Sequence, residues 1–192
     1  KILPSRDDKV LADWNALAVG ALAYSGAALG EDRFLKAAQD AAAFASKNII
    51  RPDGRVAHVR AGPREIAGFL EDYAYWVLAL IDLYEATLDL NYLSQARQIS
   101  SRMVEQFWDA RSQAFRSFPK EGSDPYLITN IQESYDGVMP SGTSAAAQAL
   151  LRLGRYFQDK EAQDVAVLVL GAHASDMNSH PPKIPRRRLG EA

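Results

Sequence analysis

The feature that most constrains the fold is a pattern that occurs three times: an apolar helical segment, a short polar turn, and a more amphipathic helical segment. The apolar segments are 9–29, 71–89 and 141–158, and the amphipathic segments are 32–49, 92–108 and 161–174. In the first two units Ala21-Leu22 corresponds to Ala79-Leu80, an offset of 58 residues. A repeat of this kind predicts an all-α fold built from three copies of one αα-hairpin.

The two helices of each hairpin differ in how their apolar residues are distributed. Segments 18–29 and 74–83 are apolar on nearly all sides, whereas 34–47 and 92–107 carry charge on one face. A helix that is apolar all round must be buried on most sides, while an amphipathic helix covers the outside. We therefore expect the first helix of each hairpin to be inner and the second to be outer.

The connections between hairpins are long, covering residues 50–70 and 110–140. Loops of this length are usually functional or disordered. If the inner helices run parallel, both loops lie at the end of the assembly that holds the inner-helix N-termini, so we expect a site there. Short alternating stretches at 51–60 and 113–118 predict small β-hairpins within these loops.

The bulk composition excludes several classes of function. The 192 residues are 47% hydrophobic and 24% charged, which is typical of one globular domain. A net charge of -2 gives no general attraction to nucleic acid or an anionic membrane, and the longest uncharged run, 14–30, is too short to span a bilayer.

The chain contains no cysteine, which excludes disulfides and thiolate chemistry within it. It also has no P-loop, GxGxxG or HExxH motif, so we expect neither a cofactor nor a metal. With no signal-peptide pattern at its start, we expect a cytoplasmic protein that binds neither nucleic acid nor membranes.

Acids, hydroxyls and aromatic side chains recur at the starts of the three inner segments. Carboxylates gathered at such a mouth can provide general acid and base catalysis, and we predict Asp8, Asp72 and Asp136 as the catalytic acids. The alternative is ordinary N-capping, because acids and hydroxyls at a helix start satisfy exposed amides and suit the helix dipole. Each residue taken singly is compatible with capping.

The same helix starts supply the predicted substrate-binding residues. Trp14, Tyr73 and Tyr135 have faces on which a pyranose ring can stack. Charged candidates are Arg6, Asp7 and Lys9, of which the two cations, with the helix N-termini, favour an anionic ligand. Candidate hydrogen-bonding residues are Asn15, Ser141, Thr143 and Ser144.

Three stretches resemble a known family. RDDKVLADWNALA (6–18), LEDYAYWVLALIDLYEAT (70–87) and DGVMPSGTSAAAQALLRL (136–153) resemble, in this order, the toroidal part of YyaL-type proteins, relatives of the spermatogenesis-associated thioredoxin-domain protein. The resemblance covers about residues 3–170. It implies an α/α toroid similar to N-acylglucosamine 2-epimerases and six-hairpin glycosidases, preceded in the parent protein by a thioredoxin-like domain.

The resemblance also implies that the chain is about half of a ring, because such a toroid closes with about six hairpins and three are present. The missing half would come from elsewhere in the parent protein or from a partner chain. None of the histidines, His58, His173 and His180, lies at an inner-helix start, so we do not expect epimerase-type proton abstraction by a histidine pair. For His58 we expect a hydrogen bond at the surface or within its loop, with a ligand contact as the alternative.

Two functional hypotheses follow. The first is a toroid fragment, residues 1–174, that binds or processes a carbohydrate or another polyhydroxylated, possibly anionic, small molecule. The second is a non-catalytic interaction scaffold that supports the thioredoxin-like domain of the parent. Residues 175–192 are rich in proline and arginine and predict a disordered or artificial tail.

Overall fold

The computed structural model describes residues 8–61, 64–121 and 136–174. Six helices dominate these residues, as the repeat predicts. They are α1 (Ala12–Leu29), α2 (Asp32–Asn48), α3 (Leu70–Thr87), α4 (Leu90–Phe107), α5 (Gly142–Phe157) and α6 (Lys160–Ala172). The predicted tail, 175–192, lies outside the described residues.

The predicted inner and outer roles of the helices are confirmed. Helix α3 packs against α1 on one side and α5 on the other, while α2, α4 and α6 each pack mainly on the inner helix of their own hairpin. The side chains of Trp76, Leu80 and Leu83 on α3 are completely buried, as their spacing predicts for core residues. The described residues therefore form an arc of three hairpins, which is part of an α/α toroid.

The three inner helices run in the same direction. A Cβ placed on Gly20 of α1 would lie 3.6 Å from the Cα of Ala79 on α3, and both residues are about two and a half turns from the start of their helices. A Cβ on Gly142 would lie 3.0 Å from the backbone nitrogen of Glu71, so α5 begins beside the start of α3. The inner N-termini therefore meet at one end of the arc, which we call the mouth.

Two small antiparallel sheets lie in the long connections, where β-hairpins are predicted. Their strands are β1 (Val10–Leu11), β2 (Ala57–Ala61), β3 (Arg64–Ala67), β4 (Trp108–Asp109) and β5 (Ala114–Phe115). The first sheet has the order β1-β2-β3, with Leu11 opposite Val59, and the second pairs β4 with β5. Because β1 leads directly into α1 and β3 ends shortly before α3, the first sheet joins two inner N-termini at the mouth.

Helix α1 begins at Ala12, three residues later than the pattern predicts. Val10 and Leu11 are extended because they pair with β2, and this pairing delays the first helical turn. Among the described helices, none has both the length and the apolar character needed to cross a bilayer.

Candidate functional site

Two carboxylates and one imidazole come together at the mouth from three different elements. Asp13 lies in the first turn of α1, His58 in β2, and Asp72 in the first turn of α3. One ligand atom from each of these residues lies within 4.8 Å of the others. We call these three residues the acid–histidine cluster.

The first sheet brings the cluster together. Leu11 pairs with Val59, so β2 holds His58 beside the start of α1. The hairpin then returns through β3 to Gly68, where a side chain would have no room: a Cβ would lie 2.5 Å from the carbonyl oxygen of Val56. A Cβ would also lie 3.0 Å from the ring of Tyr73 on α3, so the absence of a side chain at Gly68 lets this segment pack closely on both Val56 and α3.

Asp72 is the buried anchor of the cluster, with no exposed surface. Its Oδ2 accepts a hydrogen bond from the backbone N–H of Phe69 at 2.8 Å, which caps α3. Nδ1 of His58 lies 3.1 and 3.0 Å from the two carboxylate oxygens. Because an ionised carboxylate can only accept, we assign the hydrogen to Nδ1, so His58 donates to Asp72.

The environment of His58 favours its charged form. The hydrogen bond to Asp72 raises the pKa of the imidazole, partial burial lowers it, and the nearby charges of Asp72, Asp13 and Glu71 raise it further; the net direction is upward. The ring packs against Phe69 with 4.8 Å between centroids and keeps 22% of its side-chain surface exposed. A ligand at the mouth can therefore reach it.

Asp13 is 7% exposed, and its Oδ1 accepts a hydrogen bond from the backbone N–H of Trp14 at 2.8 Å. Burial raises the pKa of this carboxyl group, and the charge of Asp72 acts in the same direction, although the Trp14 N–H and His58 oppose them. Asp13 therefore takes up a proton more readily than an ordinary aspartate.

Tyr75 on α3 joins the second and third helix starts. Its hydroxyl donates a hydrogen bond to the carbonyl oxygen of Pro140, which ties α3 to the segment before α5. Burial raises the pKa of Tyr75 to about 12, and several carboxylates add to the effect through their charges. They are Glu71, Asp13, Asp136 and Asp72.

At the third helix start, Asp136 and Ser141 form caps. The carboxylate of Asp136 accepts a hydrogen bond from the backbone N–H of Ser141 at 2.8 Å, and the Ser141 hydroxyl accepts one from the Ser144 N–H at 3.1 Å. Partial burial raises the pKa of Asp136, but the hydrogen bonds from Ser141 and Ser144 lower it, and the net direction is downward. Asp136 is nevertheless exposed, while Ser141 and Thr143 are buried.

The other predicted site residues have different positions. Trp14 is 60% exposed beside the cluster, and the Asn15 amide donates to the Leu11 carbonyl at 2.7 Å. Tyr73 is 4% exposed and packs edge-on against Phe107, so its ring belongs to the core. Asp8 and Lys9 are exposed just before β1, whereas Arg6, Asp7 and Tyr135 lie outside the described residues.

The cluster contains Asp13, which the sequence pattern does not single out, and His58, whose hydrogen bond goes to Asp72 of α3 and not, as predicted, to a partner in its own loop. Asp13 lies immediately before Trp14 and Asn15, which are predicted site residues, and this position in the sequence is what indicates a functional role for it. His58 came with no such signal, because its place depends on the register of β2 against β1. Asp13, His58 and Asp72 are also the described residues whose donor atoms are close enough together to hold a metal ion.

No protein-family model matches the chain. It is 35% identical over 196 residues to spermatogenesis-associated protein 20 of Homo sapiens, in a match that covers 95% of the chain and 24% of that protein. The Mus musculus protein of the same name is 33% identical over 190 residues, with 93% and 24% covered. The chain thus spans about a quarter of the length of these relatives.

Several solved structures of similar fold are carbohydrate-active enzymes. An unsaturated glucuronyl hydrolase from Bacillus sp. GL1 superposes with a TM-score of 0.67 at 13% identity, over 91% of this chain and 49% of the hydrolase. A glycoside hydrolase family 76 mannosidase from Bacteroides thetaiotaomicron gives 0.71 at 16% identity, over 88% and 45%. A cellobiose 2-epimerase from Bacillus thermoamylovorans gives 0.68 at 14% identity, also over 88% and 45%.

These TM-scores establish the fold, and the covered share agrees with an arc of three hairpins that is about half of each enzyme chain. In sequence the chain is similar to one segment of spermatogenesis-associated protein 20, and its described residues fold as part of the α/α toroid that these glycosidases and epimerases share.

Proposed function

We propose that the chain forms about half of a carbohydrate-processing toroid and that its sugar ligand lies at the mouth, beside the acid–histidine cluster. The observation that carries this proposal is the position of Trp14. Its indole is 60% exposed in the first turn of α1, and its backbone N–H is bonded to Asp13 of the cluster. Carbohydrate-active enzymes of the same fold support the class of ligand.

The exposure of Trp14 is difficult to explain by folding alone. Tryptophan is highly buried on average, because its large apolar surface stabilises the core when it is removed from water. A large, rigid aromatic face with a polar N–H suits a ligand that has both an apolar face and hydroxyl groups. A pyranose ring has this character, and the mouth offers carboxylates to its hydroxyls.

The predicted catalytic acids take different parts in this proposal. Asp136 is exposed and can face the ligand. Asp72 is fully buried behind His58, so its proposed part is to hold His58 in place. Asp8 lies before β1 and is proposed as a ligand contact at the rim. Asp13 and His58 belong to the cluster beside Trp14 and are proposed as the groups that supply acid and base chemistry to a sugar.

A groove extends from the mouth along the inner face of the arc. Tyr75 and Pro140 line the groove at the end nearest the mouth, and Leu17, Leu78 and Gln148 line it farther from the mouth. Apolar walls with a few polar groups are typical of small-molecule sites. We propose that a second sugar ring of a larger saccharide would extend into this groove.

The test is saccharide binding by the purified chain, measured by isothermal titration calorimetry with glucose, mannose, N-acetylglucosamine, glucuronic acid and cellobiose. We expect at least one to bind and Trp14→Ala to weaken that binding by at least about tenfold, or roughly 1.4 kcal/mol. Tyr24→Ala is the matched control, because Tyr24 is also an exposed aromatic residue of α1 (72%) and lies near the opposite end. The proposal fails if no saccharide binds or if both variants bind as the wild type does.

A second candidate function, an interaction scaffold, is favoured by the distribution of exposed apolar side chains. Within the described residues those on the first and third hairpins include Tyr24 (72% exposed), Phe44 (48%) and Val167 (59%), and Leu88 (75%) and Leu90 (68%) of the central hairpin are exposed as well. Large exposed apolar patches mark interaction sites. The partners proposed for these surfaces are the remaining toroid hairpins and the thioredoxin-like domain of a longer parent, and co-purification of the chain with separately expressed parent segments tests them.

A further inference from the structure

The acid–histidine cluster brings two buried carboxylates and one imidazole together. Asp72 has no exposed surface, and only 7% of the surface of Asp13 is exposed. Oδ1 of Asp13 accepts a hydrogen bond from the Trp14 N–H, and the charge of His58 acts on the same carboxyl group. Two buried carboxylates whose oxygens lie within 4.8 Å of each other repel one another, and a positive partner between them relieves that repulsion.

The spacing of the donor atoms suits a metal ion. Zinc binds histidine nitrogen and carboxylate oxygen at about 2.0–2.2 Å, so two ligands of one ion at ordinary coordination angles lie about 3.0–3.5 Å apart. Nδ1 of His58 and Oδ1 of Asp72 are 3.1 Å apart. Oδ2 of Asp72 already accepts the Phe69 N–H, which fixes the carboxylate and leaves Oδ1 for the ion. The third donor atom, from Asp13, lies within 4.8 Å of the other two. A small rotation of the Asp13 side chain would bring all three donor atoms within bonding distance of one ion.

We propose that Asp13, His58 and Asp72 form a binding site for a divalent transition-metal ion of the zinc or manganese type. The imidazole favours such ions over Mg²⁺ and Ca²⁺, which prefer oxygen ligands alone. The two negative charges of the carboxylates balance the two positive charges of the ion, and the neutral imidazole adds none, so the buried site is electrically neutral. The ion takes the Nδ1 lone pair that otherwise carries the hydrogen donated to Asp72, so metal binding releases that proton.

The environment of the cluster supplies the other requirements of a site. Asp72 is held by the capping bond to Phe69, and the His58 ring is held by its packing against the Phe69 side chain. His58 keeps 22% of its side-chain surface exposed, so the ion has an entry path and room for a fourth ligand from solvent. Three protein ligands with one open position is the arrangement of catalytic zinc sites.

The test is direct titration of the purified, untagged chain with ZnCl₂ and MnCl₂ in a calorimeter, with MgCl₂ and CaCl₂ as comparison ions. We expect Zn²⁺ or Mn²⁺ to bind with one ion per chain, and Asp13→Asn and His58→Gln each to weaken binding by at least about tenfold. Asp40→Asn and His173→Gln are the controls, since these residues are an exposed aspartate on α2 and the other described histidine. Both controls should bind like the wild type.

A second measurement keeps the test decisive if a cluster variant folds poorly. Mn²⁺ is paramagnetic, so in the wild-type chain it should broaden the imidazole NMR signals of His58 and leave those of His173 unchanged. The proposal is overturned if neither transition ion binds, if Asp13→Asn binds as tightly as the wild type, if Mg²⁺ or Ca²⁺ binds equally well, or if His173 is the signal that broadens. Saccharide binding without metal binding would remove this site alone, and metal binding without saccharide binding would remove only the proposed function.

Discussion

Nδ1 of His58 lies 3.0 Å from Oδ2 of Asp72, a carboxylate with no exposed surface, and this contact joins the β2–β3 hairpin to the start of α3. The two residues are 14 positions apart and belong to different kinds of secondary structure. The contact therefore stabilises the tertiary arrangement of the mouth, and its strength depends on the charge of His58.

The first prediction concerns pH. Since the hydrogen bond to Asp72 raises the pKa of His58 in the folded chain, the imidazolium form stabilises the fold. This contribution is fully present below the unfolded-state pKa of about 6.5 and is lost as the pH rises through the higher folded-state pKa. We expect His58→Gln to reduce the free energy of unfolding more at pH 6 than at pH 9, as measured by urea denaturation.

His173→Gln is the control for this measurement, because His173 lies at the end of α6, away from the cluster. Its effect should be small at both pH values. A loss in His58→Gln that is the same at both, or larger in alkali, would contradict the assigned hydrogen bond.

The second prediction concerns the Tyr75 hydroxyl, which donates to the Pro140 carbonyl across 65 positions of sequence. Tyr75→Phe removes this hydrogen bond and leaves a partly buried carbonyl without that donor, so we expect a loss of about 1 kcal/mol in the free energy of unfolding. Tyr24→Phe, at a 72% exposed position, should change it very little. The spectroscopic titration of wild-type tyrosines should also contain a late step near pH 12 that Tyr75→Phe lacks.

The helical part of the fold could be predicted from the sequence because its signal is local and repeated. The 3.6-residue spacing of apolar side chains sets each helix, and the contrast between the all-apolar α3 and the one-sided α4 separates inner from outer positions. Buried Trp76 and Leu80 follow from that spacing alone.

The site could be predicted only in part, because the pairing of short strands is not visible in a local pattern. The two-residue strand Val10–Leu11 delays the start of α1 and thereby places Asp13 in its first turn. The register of β2 decides that His58 meets Asp72. Tyr73 shows the opposite effect: its place at a helix start indicates a ligand contact, but its ring turns into the core against Phe107.

The third prediction concerns the close approach at Gly68. A Cβ there would lie 2.5 Å from the Val56 carbonyl oxygen and 3.0 Å from the Tyr73 ring, and backbone atoms cannot yield as a flexible side chain can. We expect Gly68→Ala to disturb the packing of this segment against Val56 and the Tyr73 ring, to reduce the free energy of unfolding by about 1–3 kcal/mol, and to weaken the His58–Asp72 contact. Chemical denaturation and the NMR shift of the His58 ring measure the two effects.

Gly171→Ala is the matched control for Gly68→Ala. Nothing lies within 4 Å of a Cβ at Gly171, which is inside α6, so alanine should be neutral there or should stabilise the chain by up to about 1 kcal/mol. Equal effects of the two substitutions would show that Gly68 is not closely packed on Val56 and α3 in solution.

The fourth prediction concerns Arg152 of α5, which bridges two acids of α3. Its guanidinium lies 2.7 Å from Asp82 and 2.9 Å from Glu85, and both the guanidinium and Asp82 are largely shielded from water. Burial raises the pKa of Asp82 in spite of this pairing. Arg152→Met leaves the Asp82 charge without its cation, so we expect a loss of about 2 kcal/mol in the free energy of unfolding at neutral pH. The loss should shrink in acid, where Asp82 is protonated. Lys160→Met, which breaks an exposed pair on α6, should cost less than about 0.5 kcal/mol, and a similar cost for both would mean that α3 and α5 are not joined through Arg152.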